Sequence, residues 1–149
     1  MPKFALQAVL DYRHSLVEAL EVELGRLLAA RHEAQRVLDD LLSNQQQLYA
    51  DLRDRQNAGA LDLPLIAQAR LNLKAVEKRI ADQRQYLAQL EQQIDAKRQQ
   101  LIKAKQDEET LAKLKEKELE RWAEEEARRE DRQRDDLYIA RAYRQNRSE

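Results

Sequence analysis

The sequence carries apolar residues at alternating steps of three and four, and this repeat restricts the possible folds more than any other feature. The first series begins at Leu10 and ends at Leu52. Its members are Leu10, Arg13, Val17, Leu20, Leu24, Leu27, Arg31, Ala34, Leu38, Leu41, Gln45, Leu48 and Leu52. A heptad seam sustained for about six repeats is typical of a helix that lies against another helix.

A second series with the same spacing follows a short break. Its members are Ile66, Ala69, Leu73, Val76, Ile80, Gln83, Leu87, Leu90, Ile94, Lys97, Leu101 and Ala104. In the break, a left-handed Gly59 would close the first helix, Asp62 would cap the second, and Pro64 is tolerated in a first turn. We therefore predict helices at about residues 3–56 and 64–143, a loop at about 57–63 and a frayed tail at about 144–149.

Two seams joined by a short loop bury their apolar stripes by folding back on each other. This folding pairs Leu10 with residues 107–109, so the second helix beyond about Leu111 has no partner within the chain. The predicted fold class is all-α: a single domain over residues 1–149, built as a long antiparallel two-helix coiled-coil hairpin with an overhanging C-terminal helix.

Composition narrows the possible functions. Charged residues form 37% of the chain, against roughly 25% in a typical soluble domain. The net charge is -1 and there is no cysteine. The chain therefore lacks a global field that would attract nucleic acid or an anionic membrane, and it has no disulfide or thiolate site. No stretch approaches the length of a membrane span, and the opening residues lack the apolar run of a signal peptide.

Catalytic constellations are also missing from the sequence. His14 and His32 are separated by roughly 27 Å along one helix, too far to share a metal ion or a proton. Gly25 and Gly59 stand alone, so no glycine loop is present to cradle a phosphate. We predict a non-enzymatic protein with no catalytic residue, cofactor, metal site or small-molecule substrate. Residues 121–149 mix eight Arg with eight acids, a pattern that disfavours nucleic-acid binding.

Three features stand out as candidate binding surfaces or structural devices. The first is an apolar group at the start of the first helix, either the last turn of the hairpin core or a docking surface: Phe4, Leu6, Val9, Leu10 and Tyr12. The second is Trp122, which either packs on those residues or anchors a partner. The third is the set of polar seam residues, which we interpret as fixing the register: Arg13, Arg31, Gln45, Gln83 and Lys97. In addition, residues 137–143 form an apolar patch that is either tail or partner-binding surface.

Two segments carry a resemblance to a known family. They are FALQAVLDYR (residues 4–13) and KLKEKELERWAEEE (residues 113–126). With the chain length and the position of the loop, they resemble the FliJ family of flagellar export proteins and its YscO-type relatives in injectisomes. The likeness covers essentially the whole chain.

The resemblance implies partners and sites. Family members resemble the coiled-coil stalk of the rotary ATPase gamma subunit, and they insert the end that bears both termini into the pore of the hexameric export ATPase. The other half contacts the cytosolic domain of the export gate, and the family is also associated with export chaperones. On this chain the implied ATPase-docking residues are Phe4, Leu6, Leu10, Arg13, Arg121, Trp122, Arg128 and Arg129. The implied gate-contact residues are Leu41, Leu48, Leu73 and Val76.

The resemblance further implies a cytoplasmic protein associated peripherally with the membrane-embedded export apparatus, so that membrane contact is only indirect. A different interpretation of the same residues remains open. The unpaired seam of the second helix could join two copies of the chain, which would make it a coiled-coil spacer or tether that self-associates.

Overall fold

Two long helices make up almost all of the described chain. The computed structural model describes residues 3–60 and 62–147, and within them it contains helices and no strand. Helix α1 spans Gln7–Asn57 and helix α2 spans Leu63–Arg147. Both are rich in Leu, Ala, Gln, Glu, Lys and Arg, the residues that lose least conformational freedom in a helix. The two helices pack against each other through their apolar seams.

The start of α2 is capped as the sequence predicts. The backbone N–H of Leu65 donates to the Asp62 side chain (Oδ1) at 3.3 Å, and the N–H of Ile66 donates to the Asp62 carbonyl at 3.0 Å. The Asp62 side chain thus satisfies one of the amide groups that a helix start leaves without a helical partner, and its carbonyl accepts the first hydrogen bond of the helix. Pro64 lies in the first turn of α2, where its missing N–H costs nothing.

The prediction of a left-handed Gly59 is wrong. No glycine in the described chain has a positive φ. Helix α1 ends at Asn57, and the bend over residues 58–60 redirects the backbone gradually. A single left-handed closing residue is therefore unnecessary.

The end of α2 also differs from the prediction. We expected the helix to end at about residue 143 and to be followed by a frayed tail, but α2 continues to Arg147. Residues 144–147 contain no Gly, Pro or β-branched residue, so nothing in their composition terminates the helix. Residues 148–149 lie outside the described chain. The first helix begins at Gln7, four residues later than expected, because residues 5–6 form a turn.

The chain contains two compact units. The terminal unit comprises Met1–Val17 and Lys103–Glu149, and the central unit comprises Glu18–Ile102. Each unit contains one stretch of α1 and one stretch of α2. The expected single domain over residues 1–149 stays a prediction.

The core of the central unit consists of seam residues. Its buried apolar side chains are Leu20, Ala34, Leu38, Ile66, Leu73, Val76, Ile80, Leu90 and Ile94. The other seam positions of this unit are all half-buried. Ile94 is fully buried, which marks the closest packing between the two helical stretches.

Polar seam residues of the central unit make contacts across the helix pair. Lys97 Nζ lies 2.6 Å from a carboxylate oxygen of Glu23, and Arg31 Nη1 donates to Glu91 at 3.1 Å. Glu23 precedes Arg31 in α1, whereas its partner Lys97 follows Glu91 in α2. The two helical stretches of this unit therefore run in opposite directions.

The terminal unit has a smaller core. Its buried apolar side chains are Phe4, Val17 and Ala104. Arg13 Nη1 donates to Asp107 Oδ2 at 3.4 Å, and His14 Nδ1 lies 2.8 Å from Glu108 Oε1. These two pairs agree with the expectation that the start of α1 meets residues 107–109.

Candidate protein-interaction surfaces

The apolar group at the start of α1 divides into core and surface. Phe4 is only 9% exposed, and its ring borders a small cavity with Leu119 and the stems of Lys115 and Glu118. A turn at residues 5–6 positions the ring, because the N–H of Gln7 donates to the Phe4 carbonyl at 3.1 Å. Phe4 is therefore a core residue of the terminal unit.

The remaining members of this group stay on the surface or at its edge. Leu6, Val9 and Tyr12 are exposed, whereas Leu10 is half-buried in the seam. Arg13 is also half-buried, and its guanidinium is engaged by Asp107. Of the predicted docking residues in the N-terminal segment, Leu6 thus offers the most accessible apolar surface.

The later part of α2 is exposed almost throughout. From residue 116 to residue 147 every side chain is exposed except those of Glu126 and Ala142, which are half-buried. Trp122 is 41% exposed, far more than a packed core tryptophan would be. The sequence left two interpretations of Trp122, and this exposure favours a surface anchor.

Arginine side chains follow Trp122 along the exposed helix. Arg121, Arg128 and Arg129 are all exposed, and Arg128 and Arg129 border a shallow depression with Glu125 and Arg132. Two arginines of this stretch pair with acids three residues earlier. Arg129 lies 3.6 Å from Glu126, and Arg134 lies 3.9 Å from Asp131. Exposed pairs of this length stabilise a helix only weakly.

The predicted gate-contact residues lie between the helices of the central unit. Leu73 and Val76 are buried, while Leu41 and Leu48 are half-buried and pack against the cluster of Leu38, Val76 and Ile80. Their burial follows from their position in the heptad seams, which is where a helix pair needs apolar side chains. These four side chains therefore lie beneath the surface of this unit and contribute little accessible area to it.

Other side chains of the same region are accessible, and the sequence analysis did not single them out. Tyr49 and Leu71 are exposed, and Tyr49 borders a depression with Gln46, Arg53 and Gln56. A second, more apolar groove is bordered by Leu27, Ala30, Tyr86, Leu90 and Ala96. These residues could have been found from the sequence, because large apolar side chains that fall outside the heptad series are expected on the surface.

Two hydrogen bonds between the helices perturb acidities in the central unit. The Tyr49 hydroxyl donates to Glu77 Oε1 at 2.9 Å, and this bond, together with the carboxylate charge, raises the pKa of Tyr49. The hydrogen bond and charge of Lys97 lower the pKa of the Glu23 carboxyl. Both are pairs between the helices, and neither has the enclosed pocket in which a shifted acidity would serve catalysis.

The described residues contain no group of three or more His, Cys, Asp or Glu side chains arranged to hold a metal ion. Neither α1 nor α2, over the part of the chain that is described, is long and apolar enough to cross a membrane. The surfaces that remain are exposed helix faces, which suit contacts with other macromolecules.

The sequence was compared with known proteins and families. It matches the family described as Flagellar FliJ protein over residues 2–148. Neither a curated protein nor a solved structure matches the chain. The family match covers both helices and agrees with the resemblance carried by the segments around Phe4 and Trp122. The chain therefore belongs to the FliJ family, whose members are non-catalytic components of the flagellar protein export apparatus.

Proposed function

We propose that this protein is a non-enzymatic stalk that binds the hexameric export ATPase and links it to the export gate. In this proposal the helices form an antiparallel coiled-coil hairpin, and the later part of α2 extends beyond its pairing with α1 as the segment that reaches the ATPase. Membership of the FliJ family is the observation that carries the proposal.

The exposed part of α2 supports ATPase docking. Trp122 presents an accessible indole, and Arg121, Arg128 and Arg129 lie within two turns of it along the helix. Tryptophan and arginine are enriched among the residues that contribute most to binding. A ring pore surrounds its ligand, so a helix that is exposed on all sides can be recognised from several directions.

The predicted docking residues at and before the start of α1 have different roles in this proposal. Leu6 contributes contact surface, whereas Phe4, Leu10 and Arg13 hold the start of α1 against α2. Phe4 borders a cavity together with Leu119, which lies one turn before Trp122 in α2. In this proposal the Phe4 ring therefore also helps to hold the part of α2 that precedes Trp122.

The gate contact involves the central unit in this proposal. Tyr49 and Leu71 supply accessible contact surface, and Leu41, Leu48, Leu73 and Val76 support them from the interior. Binding of export chaperones, also implied by family membership, would use exposed helix faces in the same way.

ATPase binding is tested with the purified full chain and the cognate export ATPase. We expect the wild-type chain to raise ATP hydrolysis and to co-elute with the ATPase on gel filtration. Trp122→Ala should weaken this complex by about tenfold or more, the usual effect of removing a central aromatic anchor. Tyr86→Ala is the matched control, since it removes an equally exposed aromatic side chain from the central unit.

Two results would overturn ATPase docking: a wild-type chain that neither forms a complex nor changes hydrolysis, or an equal loss of binding in both variants. Light scattering tests the self-associating spacer separately. A stable dimer at micromolar concentration that persists when the ATPase is added would favour the spacer.

Gate binding is tested with the isolated cytosolic domain of the gate protein. Leu71→Gln should reduce binding, because it places a polar group on the proposed contact surface without disturbing the core. Val22→Gln, which changes an equally accessible apolar residue elsewhere in the central unit, should leave binding unchanged. Equal binding by Leu71→Gln and the wild-type chain would remove this residue from the proposed surface.

A further inference from the structure

The last three turns of α2 have a different charge pattern from the helix before them. Residues 137–147 contain Arg141, Arg144 and Arg147 and no acidic residue, whereas residues 124–136 mix both signs. The segment therefore carries three positive charges on a chain whose net charge is -1. Salt screens charges over about 8–10 Å, so the local charge governs what the segment attracts, with Asp135 and Asp136 just before it offsetting part of that charge at its N-terminal end.

The same segment is amphipathic. At about 100° per residue, its main apolar face spans an arc of about 140°. That arc contains Tyr138, Ile139, Ala142 and Tyr143, and the polar residue Asn146 lies near its centre. Tyr138, Ile139 and Tyr143 are 76%, 65% and 64% exposed, respectively. Leu137 and Ala140 lie outside the arc.

The arginines occupy the rest of the helix circumference. Arg141 and Arg147 flank the apolar arc on its two sides, and Arg144 lies opposite its centre. Arg147 remains close to the arc, because its guanidinium carbon lies 6.0 Å from the centre of the Tyr143 ring. An apolar face flanked by long cationic side chains is the pattern of helices that lie in a membrane interface.

We infer that residues 137–147 bind the surface of an anionic phospholipid membrane. The helix lies parallel to the surface, with Ile139 and Ala142 facing the acyl chains. The rings of Tyr138 and Tyr143 occupy the headgroup level, where amphipathic aromatic side chains are enriched. Arg141 and Arg147 extend along the flanks to the lipid phosphates.

The charge distribution favours a lipid surface over a protein groove or a second copy of the chain. A groove that covered the apolar arc would leave the flanking arginines outside the contact. A second copy would bring three more arginines to the same interface, and like charges repel. An anionic membrane supplies both apolar depth and negative charge along the flanks. Contact with lipid is then direct, in contrast to the indirect contact expected from the sequence.

Vesicle flotation with the full chain tests this inference. Two vesicle compositions are compared: phosphatidylcholine alone, and phosphatidylcholine with phosphatidylglycerol. We expect the chain to float with the anionic vesicles and to remain with the unbound fraction for the neutral ones. Raising the salt concentration should weaken the binding.

Three double variants test whether residues 137–147 are the segment that binds the vesicles. Arg141→Gln with Arg144→Gln should weaken partition to anionic vesicles by about tenfold or more, since each arginine near the surface contributes to attraction. Tyr138→Ala with Tyr143→Ala should weaken it by removing interfacial apolar surface. Arg132→Gln with Arg134→Gln makes the same change in charge two to about three turns earlier and should weaken partition less, because these arginines lie outside the segment.

Several outcomes would overturn the inference. Binding to neither vesicle, equal binding to both, or an equal loss in the Arg132 and Arg134 control would each exclude this segment as an anionic-lipid site. So would a dimer, or a complex with the export ATPase, that is lost on changing Tyr138 and Tyr143 while vesicle binding is absent. Loss of vesicle binding with an intact ATPase complex would leave the stalk function standing, so the two proposals fail separately.

Discussion

The side-chain amide of Gln83 donates to the backbone carbonyl of Ala34 at 2.9 Å, across the two helical stretches of the central unit. Gln83 is half-buried and Ala34 is buried, so this polar bond lies inside an otherwise apolar seam. The small side chain of Ala34 leaves its carbonyl within reach. A polar group at such a position specifies one register because any shift along the helix removes its partner.

We predict that Gln83→Leu stabilises the helix pair but loosens its register. Leucine adds apolar burial at the seam, so the free energy of unfolding should rise by up to about 1 kcal/mol. The chain has no cysteine, which allows spin labels at the exposed positions Ala29 and Gln92. The distribution of distances between these labels should broaden in the variant.

Gln85→Leu is the control for that experiment, because Gln85 is exposed outside the seam. It should leave the label distances unchanged. If Gln83→Leu gave a distribution as narrow as that of the wild-type chain, Gln83 would have no part in fixing the register.

Truncation of Ile94 should lower the free energy of unfolding more than truncation of any other side chain. Ile94 is the only large side chain in the described chain that is fully buried, so truncation removes apolar contacts and leaves a cavity. We expect Ile94→Ala to lower the free energy of unfolding by about 2–4 kcal/mol. The measurement is urea unfolding followed by circular dichroism.

Ile102→Ala provides the comparison, since Ile102 is half exposed. This substitution should lower the free energy of unfolding by less than about 1 kcal/mol. Equal costs for the two substitutions would show that the closest packing of the helices lies elsewhere.

The seam could be predicted from the sequence because helical burial follows a period. Every predicted seam position from Leu10 to Leu52 and from Ile66 to Ala104 is buried or half-buried. Spacing alone fixes this, since a helix turns by a constant angle per residue. The cap at Asp62 was predictable for a similar reason, because a short acceptor before a helix start satisfies free amides.

Burial outside the period could not be predicted in this way. Phe4 precedes α1, and its burial depends on the turn at residues 5–6 and on the position of Leu119, more than a hundred residues later in the chain. The gate-contact residues show the converse. The family resemblance implied Leu73 and Val76 as contacts, but both belong to the seam, so the period predicts their burial. The accessible residues Tyr49 and Leu71 fall outside the series.

The ion pair between Glu23 and Lys97 predicts a pH-dependent contribution to stability. The hydrogen bond and charge of Lys97 lower the pKa of Glu23 below its usual value of 4.5. A lowered folded-state pKa stabilises the folded chain above the unfolded pKa, and this contribution is lost as the pH falls through the lowered value. Glu23→Gln should therefore destabilise the chain slightly at pH 7, and the difference from wild type should shrink as the pH falls below 4.5 and through the lowered pKa.

The effect of Glu23→Gln should be small, because the pair is partly exposed and solvent screens it. Asp51→Asn, at an exposed position of α1, gives the effect of removing one surface charge. A destabilisation by Glu23→Gln that stayed constant from pH 7 to about pH 3 would contradict an electrostatic origin.

Tyr49 should show the opposite pH dependence. The hydrogen bond to Glu77 and the carboxylate charge raise the pKa of the phenol above 10.0. The stability from this bond is present below the unfolded pKa and is lost as the pH rises through the raised value. Absorbance titration of the five tyrosines should contain a late component that Tyr49→Phe removes and Glu77→Gln shifts to lower pH. A titration curve unchanged by Glu77→Gln would exclude Glu77 as the cause.

Phe4 should hold the start of α1 in place. Phe4 is buried and borders a small cavity with Leu119, and across the turn that follows it the N–H of Gln7 donates to the Phe4 carbonyl. Phe4→Ala removes this apolar contact, so the first turns of α1 should open more often. Since the ring lies at the edge of the unit, we expect a cost of about 1–2 kcal/mol and amide exchange about tenfold faster over residues 7–12. Hydrogen exchange followed by mass spectrometry measures this directly. Tyr12→Ala, which removes an exposed ring from the first turns of α1, should leave the exchange within about twofold of wild type. Unchanged exchange in Phe4→Ala would mean that the seam contacts alone secure the first turns of α1.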